Sequence, residues 1–197
     1  MYKSPIHVWL ITGKPGIGKT TCISRIVYNI KSEGYTVGGI ISREIRVQGE
    51  RTRFELIDLI TGESGILSST NLDAGPKIGR YRINLQLLSK AGSKALLSSN
   101  ELADLTMCDE IGPMEMFSPD FRRAIDIINN GQPVLGVIHQ RLNDPLINQI
   151  RSSEFVKIHE AILENRKEIP DILTKEILKI LESKNGKREN FESNRTR

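Results

Sequence analysis

Cysteine is nearly absent: the 197-residue chain has two, Cys22 and Cys108. They lie far apart in apolar stretches, outside any C-x-x-C pair and away from a histidine cluster. A disulfide framework and a cysteine-based zinc site are therefore excluded, and the pair reads as small core residues of a protein kept in a reducing compartment. Long apolar runs are missing too. The first, His7 to Thr12, is too short for a signal-peptide core with its cleavage site, and none approaches a membrane span. The chain is expected to be cytoplasmic, with no membrane partner. No internal repeat and no heptad seam appears. Net charge is modest once it is located: of the formal +4, most comes from KNGKRENFESNRTR at Lys184 to Arg197, which holds five Lys or Arg against two Glu. That segment (184–197) has almost no apolar residues and is expected to be a disordered tail, a solvated terminus being favoured over a nucleic-acid contact. Before it, residues 1–183 with 38% hydrophobic content overall can bury one good core, so one domain is expected.

What is present begins with GKPGIGKT, Gly13 to Thr20, which fits the phosphate-binding pattern G-x-x-x-x-G-K-[ST] without substitution. The apolar run before it has strand length. After it, Cys22, Ile23, Ile26, Val27 and Ile30 recur at helical spacing until Gly34. Such a loop turns its backbone N–H groups inward around a polyphosphate while the following helix presents its positive end. Gly13, Gly16 and Gly18 allow that approach, and Lys14, Pro15 and Ile17 fill the variable positions. Lys19 is expected to reach the outer phosphates and the Thr20 hydroxyl to hold a magnesium ion, with Thr21 completing the nucleotide contacts.

A second apolar run, Leu102 to Cys108, ends in Asp109-Glu110 and continues as Ile111-Gly112-Pro113-Met114-Glu115. In a phosphate-loop enzyme the carboxylate that closes the magnesium site, usually through water, comes from the end of another parallel strand, and Asp109 fits. Glu110 stands where a carboxylate takes a proton from the attacking water or orients it. Gly112 is expected near the nucleotide. A glutamate directly beside the magnesium aspartate resembles the RecA-like branch of phosphate-loop proteins, which places one strand between the phosphate-loop strand and the acidic strand. Pro133 to Ile138 supplies it and ends in His139-Gln140-Arg141. By that resemblance His139 or Gln140 senses the terminal phosphate or positions water; the bland alternative is a strand stopping at polar residues, and no metal role falls to the lone histidine.

The rest reads coarsely. Tyr35 to Ser42 is the next strand, with Gly38-Gly39 weakening its interior. Ile45 to Leu59, turning at Gln48-Gly49-Glu50, reads as a hairpin, and Gly65 to Ser68 adds a short antiparallel strand; the elaboration spans 43–68. Leu85 to Ser98 reads as a helix with Leu85, Leu88, Ala95 and Leu96 inward. Another starts at Ser118-Pro119, with Phe121, Ile125 and Ile128 inward and a stop at Gly131. Asp144-Pro145 opens a short helix, Phe155 to Ile158 is a strand, and Pro170 to Lys184 a final amphipathic helix. Alternating helices and apolar strands predict an α/β three-layer sandwich with a mostly parallel sheet.

These blocks together resemble the THEP-type nucleoside-triphosphatase family, over nearly all residues to about Leu181. The likeness rests on GKPGIGKT, GGIISREI (Gly38 to Ile45), FELIDLITGESGIL (Phe54 to Leu67), GPKIGRYRIN (Gly75 to Asn84), CDEIGPME (Cys108 to Glu115), VLGVIHQR and Asn165-Arg166. Thr106-Met107-Cys108 departs from it, where the family carries plainer aliphatics. The resemblance implies magnesium-dependent hydrolysis of nucleoside triphosphates to diphosphate and phosphate with relaxed base choice, extending from ATP and GTP to CTP and UTP. Arg166 either stacks on the base or is a surface arginine. An arginine finger is open among Arg43, Arg80, Arg82, Arg122 and Arg123. Two other classes share the phosphate loop. A kinase handing the phosphoryl group to a nucleotide, metabolite or nucleic-acid end would add an arginine-bearing lid, whereas Arg122-Arg123 lies in a regular helix. A nucleotide-dependent switch binding RNA or protein would use Arg46, Arg51 and Arg53, but Glu44, Glu50 and Glu55 lie close enough to pair with them.

Overall fold

A computed structural model describes residues 6–128 and 132–193. Along the chain, β1 (Val8–Thr12) leads to α1 (Lys19–Ser32), and β2 (Val37–Val47), β3 (Glu50–Asp58), β4 (Ser64–Ser69), β5 (Lys77–Ile78) and β6 (Tyr81–Ile83) follow. Next come α2 (Leu85–Leu87), α3 (Ser93–Leu102), β7 (Leu105–Ile111), α4 (Pro119–Ile128), β8 (Val134–Ile138), α5 (Pro145–Ser152), β9 (Val156–Glu160) and α6 (Ile169–Ser193).

All nine strands join one sheet in the order β5-β6-β4-β3-β2-β7-β8-β1-β9. From β2 to β9 every neighbouring pair is parallel; from β2 outward to β5 every pair is antiparallel. As expected, β8 is the one strand between β1 and β7. Strand alternation feeds two cores. Val8 and Leu10 of β1 pack with Leu96 of α3, Phe121 and Ile125 of α4 and Ile147 of α5 on one face. Trp9 and Ile11 pack with Ile23, Ile26 and Ile30 of α1 and Leu173, Ile177 and Leu181 of α6 on the other. Burying one such side chain contributes about 1.5–3 kcal/mol, so both faces of the parallel half need their helices, and the layers are three. On the α6 side, Glu176 accepts from the Trp9 indole at 3.0 Å and from Lys157 at 2.5 Å.

Four expectations change. β2 does not stop at Ser42: it runs unbroken into the hairpin and turns at Gln48-Gly49, both at positive φ, in the two-residue turn that suits the twist of the flanking strands. Gly39 is no weak point, since a Cβ there would lie 2.0 Å from the Met107 carbonyl oxygen of β7; glycine is what lets the strands approach. The single helix over Leu85 to Ser98 is instead α2, a π-helical turn at Leu88–Gly92 and α3, which extends to Leu102. Gly92, a poor helix former, sits in that turn against the Phe121 ring, and Leu85 is only half-buried while Leu88, Ala95 and Leu96 are buried. Finally, α6 continues to Ser193 where a disordered tail was expected. Lys, Arg and Glu are good helix formers, and no proline interrupts them beyond Pro170. The helix stop at Gly131, the inward side chain of Ile128 and the last residues of the tail lie outside the described residues.

Candidate active site

The phosphate loop is the bend between β1 and α1. Gly13, Gly16 and Gly18 take φ values of 142°, 77° and 103°, and a Cβ on Gly13 would stand 2.6 Å from the Ala161 carbonyl oxygen. Gly18 caps α1 with no side-chain hydrogen bond. The first N–H groups of a 14-residue helix therefore face the loop without an internal acceptor, the arrangement that receives an anion. Lys19 Nζ donates to the carbonyls of Gly13 and Lys14 at 3.0 and 3.3 Å, which holds the ammonium over the loop.

The segment after β9 braces this bend from behind. Ala161 N donates to Thr12 O at 2.8 Å, and Arg166 Nη1 donates to Ile17 O at 3.1 Å. Cys22 Sγ in turn donates to Arg166 O at 3.1 Å. Asn165 is spent locally, donating to Glu160 O and accepting from Ile162 N, both at 2.9 Å. Arg166 is thus half-buried and committed to loop backbone, unlike the free surface arginine that was one of its two expected readings.

Asp109 lies on β7 opposite Ile41 of β2, 3% exposed. Its carboxyl group is pushed up to about 6, chiefly by burial; the hydrogen-bonded Thr20 hydroxyl pulls it down, the Glu110 charge pushes it up and Lys19 pulls it down. One oxygen, Oδ2, is buried with no hydrogen-bond partner. Thr12 Oγ1, Ser42 Oγ and His159 Nε2 are likewise unpartnered, and all four mark the carboxyl ends of the parallel strands or the residue just beyond. That end of an open α/β sheet is where ligands bind. Among the described residues no three His, Cys, Asp or Glu side chains gather to hold a metal unaided. The donor set that does exist, a threonine hydroxyl and an aspartate oxygen without a partner, suits a hard cation sharing its other positions with phosphate and water.

Glu110 follows Asp109 through a cis peptide and is half-buried, where the β7–β8 ladder is interrupted between Cys108 and Ile111. Gly112, expected among the nucleotide contacts, has its N–H taken by Glu115 Oε2 at 3.2 Å. Glu115 is the residue that sequence reasoning missed: 5% exposed, it is pushed up to about 8, mainly by burial and then by Glu110 and Asp109 against the hold of backbone N–H groups. An acid set in the apolar stretch from Ile111 to Phe117 was the available signal.

At the end of β8, Gln140 Nε2 donates to Glu160 Oε1 at 2.8 Å, and Glu160 pairs in register with Thr12. Gln140 and Glu160 therefore straddle the strand that opens the phosphate loop. His139 Nδ1 accepts from Arg141 N at 3.3 Å. Arg151, unforeseen, ties this bend down by donating to the carbonyls of His139, Gln140 and Leu142. Of the arginines held open as a finger, Arg122 is bidentate to Asp144 at 2.6 and 3.1 Å, Arg123 pairs with Asp120, and Arg80 and Arg82 bond backbone at the far sheet edge. Arg43 differs: two residues past Ile41, it shares by strand alternation the sheet face of Asp109, while pairing with Glu55 at 2.7 Å. Cys22 and Cys108 are both buried free thiols. Burial and the nearby carboxylates raise Cys108 well above the usual thiol range, so it is inert core. No helix among the described residues is long and apolar enough to cross a membrane.

The chain compares closely with known proteins. Nucleoside-triphosphatase THEP1 of Thermofilum pendens is 37% identical over 175 residues, covering 88% of this chain and 96% of that one. The THEP1 of Methanosarcina acetivorans is 37% identical over 175 residues, covering 87% and 97%. Among solved structures, the crystal structure of THEP1 from the hyperthermophile Aquifex aeolicus superposes with a TM-score of 0.74 at 29% identity, over 84% of this chain and 96% of that one. The solution structure of a human cancer-related nucleoside triphosphatase gives 0.70 at 33%, over 85% and 95%. The sequence pattern of a family described as NTPase matches residues 8–178. With a phosphate loop, an acidic strand one place removed and relatives matched along almost their whole length, the chain belongs to the NTPase family of the THEP1 nucleoside-triphosphatases.

Proposed function

We propose that this protein hydrolyses nucleoside triphosphates to diphosphate and inorganic phosphate in a magnesium-dependent reaction in the cytoplasm. The observation that carries the reading is the unpartnered Asp109 Oδ2 buried beside the Thr20 hydroxyl, at the first turn of the helix that the phosphate loop opens. Backbone N–H groups of the loop from Gly13 to Thr21, where Pro15 has none to give, cradle the phosphates, and Lys19 leaves the carbonyls of Gly13 and Lys14 for the outer phosphate oxygens. Thr20 and Asp109, the latter through water, are the residues that would hold magnesium, whose chemistry is to offset charge on the phosphate oxygens. Glu110 takes the proton of the attacking water as the new P–O bond forms; the bond from the terminal phosphorus to the bridging oxygen breaks, and the electron pair leaves with the diphosphate. Gln140, held by Glu160 at the end of β8, is read as the polar group that faces the terminal phosphate.

Base choice is read as relaxed. Asn165 is occupied with backbone and Arg166 gives an Nη1 donor to Ile17 O, and a guanidinium that stacks on a base does so without distinguishing one base from another. Phosphate release measured with ATP, GTP, CTP and UTP, with and without magnesium, tests the proposal. Turnover of all four that stops on chelation is expected; metal-independent release, or label passed to an acceptor other than water, would replace it with another chemistry.

A further inference from the structure

A carboxyl group as deep as that of Glu115 ordinarily faces a cation; this one faces other carboxylates. It opens the 3₁₀ turn Glu115–Phe117 that follows β7. Around it stand Asp109, Glu110 and the Cys108 thiol on β7. On the neighbouring α4, Arg122 is committed to Asp144 and to Met116 Sδ. Gly112 is the meeting point of the acids. Its N–H donates to Glu115 Oε2 at 3.2 Å. A Cβ built on it would lie 3.1 Å from that same oxygen and 3.3 Å from Glu110 Oε1. Two carboxyl groups thus flank one buried backbone position. The turn is closed on itself, Met116 N donating to Gly112 O at 3.2 Å and Ser118 N to Glu115 O at 3.1 Å.

We propose that Glu115 is a positioning residue for Glu110: its carboxyl group holds the Gly112 N–H, closes the turn after β7 and thereby sets where the Glu110 carboxylate lies. The inference rests on the reading of Glu110 as the base. It also explains why an acid is tolerated here without a cation. Burial favours the uncharged acid, which keeps the Gly112 hydrogen bond without placing another negative charge against Glu110.

The test is steady-state phosphate release by the full chain with magnesium and ATP, alongside nucleotide binding, for Glu115→Gln, Glu115→Ala and the control Glu110→Gln. The glutamine amide oxygen can accept the same N–H, so kcat near pH 7 should stay within about threefold of wild type; alanine should lower kcat by more than about tenfold with KM and nucleotide Kd little changed. As the pH rises toward about 9, ionisation of Glu115 should lower the wild-type kcat and leave Glu115→Gln level. Wild-type kcat in Glu115→Ala, or a folded Glu115→Gln as slow as Glu110→Gln, overturns the inference, as does an alkaline fall that persists in Glu115→Gln. If Glu115→Ala fails to fold, the glutamine variant and its pH profile decide alone. Undiminished release by Glu110→Gln sinks the reading of the base itself, a different failure.

Discussion

The two halves of the sheet treat their polar groups in opposite ways. In the antiparallel wing, Glu44 pairs with Arg46 at 2.6 Å and Arg51 at 2.5 Å, and Glu55 pairs with Arg43 at 2.7 Å and Arg53 at 3.6 Å. The wing has orphan atoms of its own, Arg53 Nε and Ser68 Oγ, but the first belongs to a guanidinium already paired. In the parallel half, an aspartate oxygen, a threonine hydroxyl, a serine hydroxyl and an imidazole nitrogen stand unpartnered at one end of the strands. A buried polar atom without a partner costs about 1–3 kcal/mol. Such a cost concentrated at one edge marks the surface kept for a ligand, whereas charge neutralised in pairs marks scaffold. The same difference weighs against the wing as a nucleic-acid surface, since its arginines already have carboxylates.

The largest effects should fall on the parallel half. Lys19→Ala should lower kcat/KM by at least about a hundredfold, and Glu110→Gln should lower kcat by about a hundredfold or more while nucleotide still binds. Phosphate release and equilibrium binding check both, and a wing substitution of equal effect would break the contrast.

Next comes stability against pH. Asp109 rises from 3.8 to about 6 and Glu115 from 4.5 to about 8 on folding. The folded protein therefore keeps these protons where the unfolded chain has released them. The stability they contribute is fully present in acid, and is lost as the pH climbs through that window to about 8. Glu115→Gln should remove the larger share of the loss. Its melting temperature relative to wild type should climb between about pH 5 and pH 8, by the equivalent of roughly 2–4 kcal/mol. A constant offset would show that Glu115 is charged in the fold.

Arg43 sharpens the boundary, because its strand joins the two halves. Arg43→Ala is expected to lower kcat by about tenfold, against less than about twofold for Arg46→Ala; equal, negligible effects would assign Arg43 to the wing. The smallest change is expected from Glu44→Gln, whose partly exposed pairs should cost under about 1 kcal/mol in denaturant melts with activity intact.

Much of this arrangement could be read from the chain because its determinants are local. GKPGIGKT fixes a loop by its own glycines, and the apolar run ahead of Asp109-Glu110 has the length of a strand, buried on both faces from Leu105 to Cys108. The place of β8 between β1 and β7 was expected from the likeness of the acid pair to the RecA-like branch. What escaped depends on residues distant in sequence or on how a short turn closes. Arg166 reads as a base-stacking or a surface arginine until the fold lays it against Ile17, 149 positions away. Glu115 reads as one more acid until the turn after β7 closes over it, and no spacing rule says that its carboxyl group meets Gly112. The continuity of β2 past Ser42 was hidden where the apolar run gives way to Arg43-Glu44, and the purpose of Gly39 appears only with β7 alongside.

The hydrogen bond from the Trp9 indole to Glu176 has an experimental consequence. Trp9 is the only tryptophan of the chain, buried on the strand that becomes the phosphate loop four residues later. Indole emission responds to the polarity and hydrogen bonding around the ring. Its partner carboxylate lies on α6, which begins three residues after Arg166, the brace of the loop. The molecule therefore carries an intrinsic optical probe at the base of its own binding loop. With excitation at the red edge of the indole band, where the four tyrosines do not absorb, nucleotide binding is expected to register in the unlabelled wild-type protein as a change in the emission of one tryptophan.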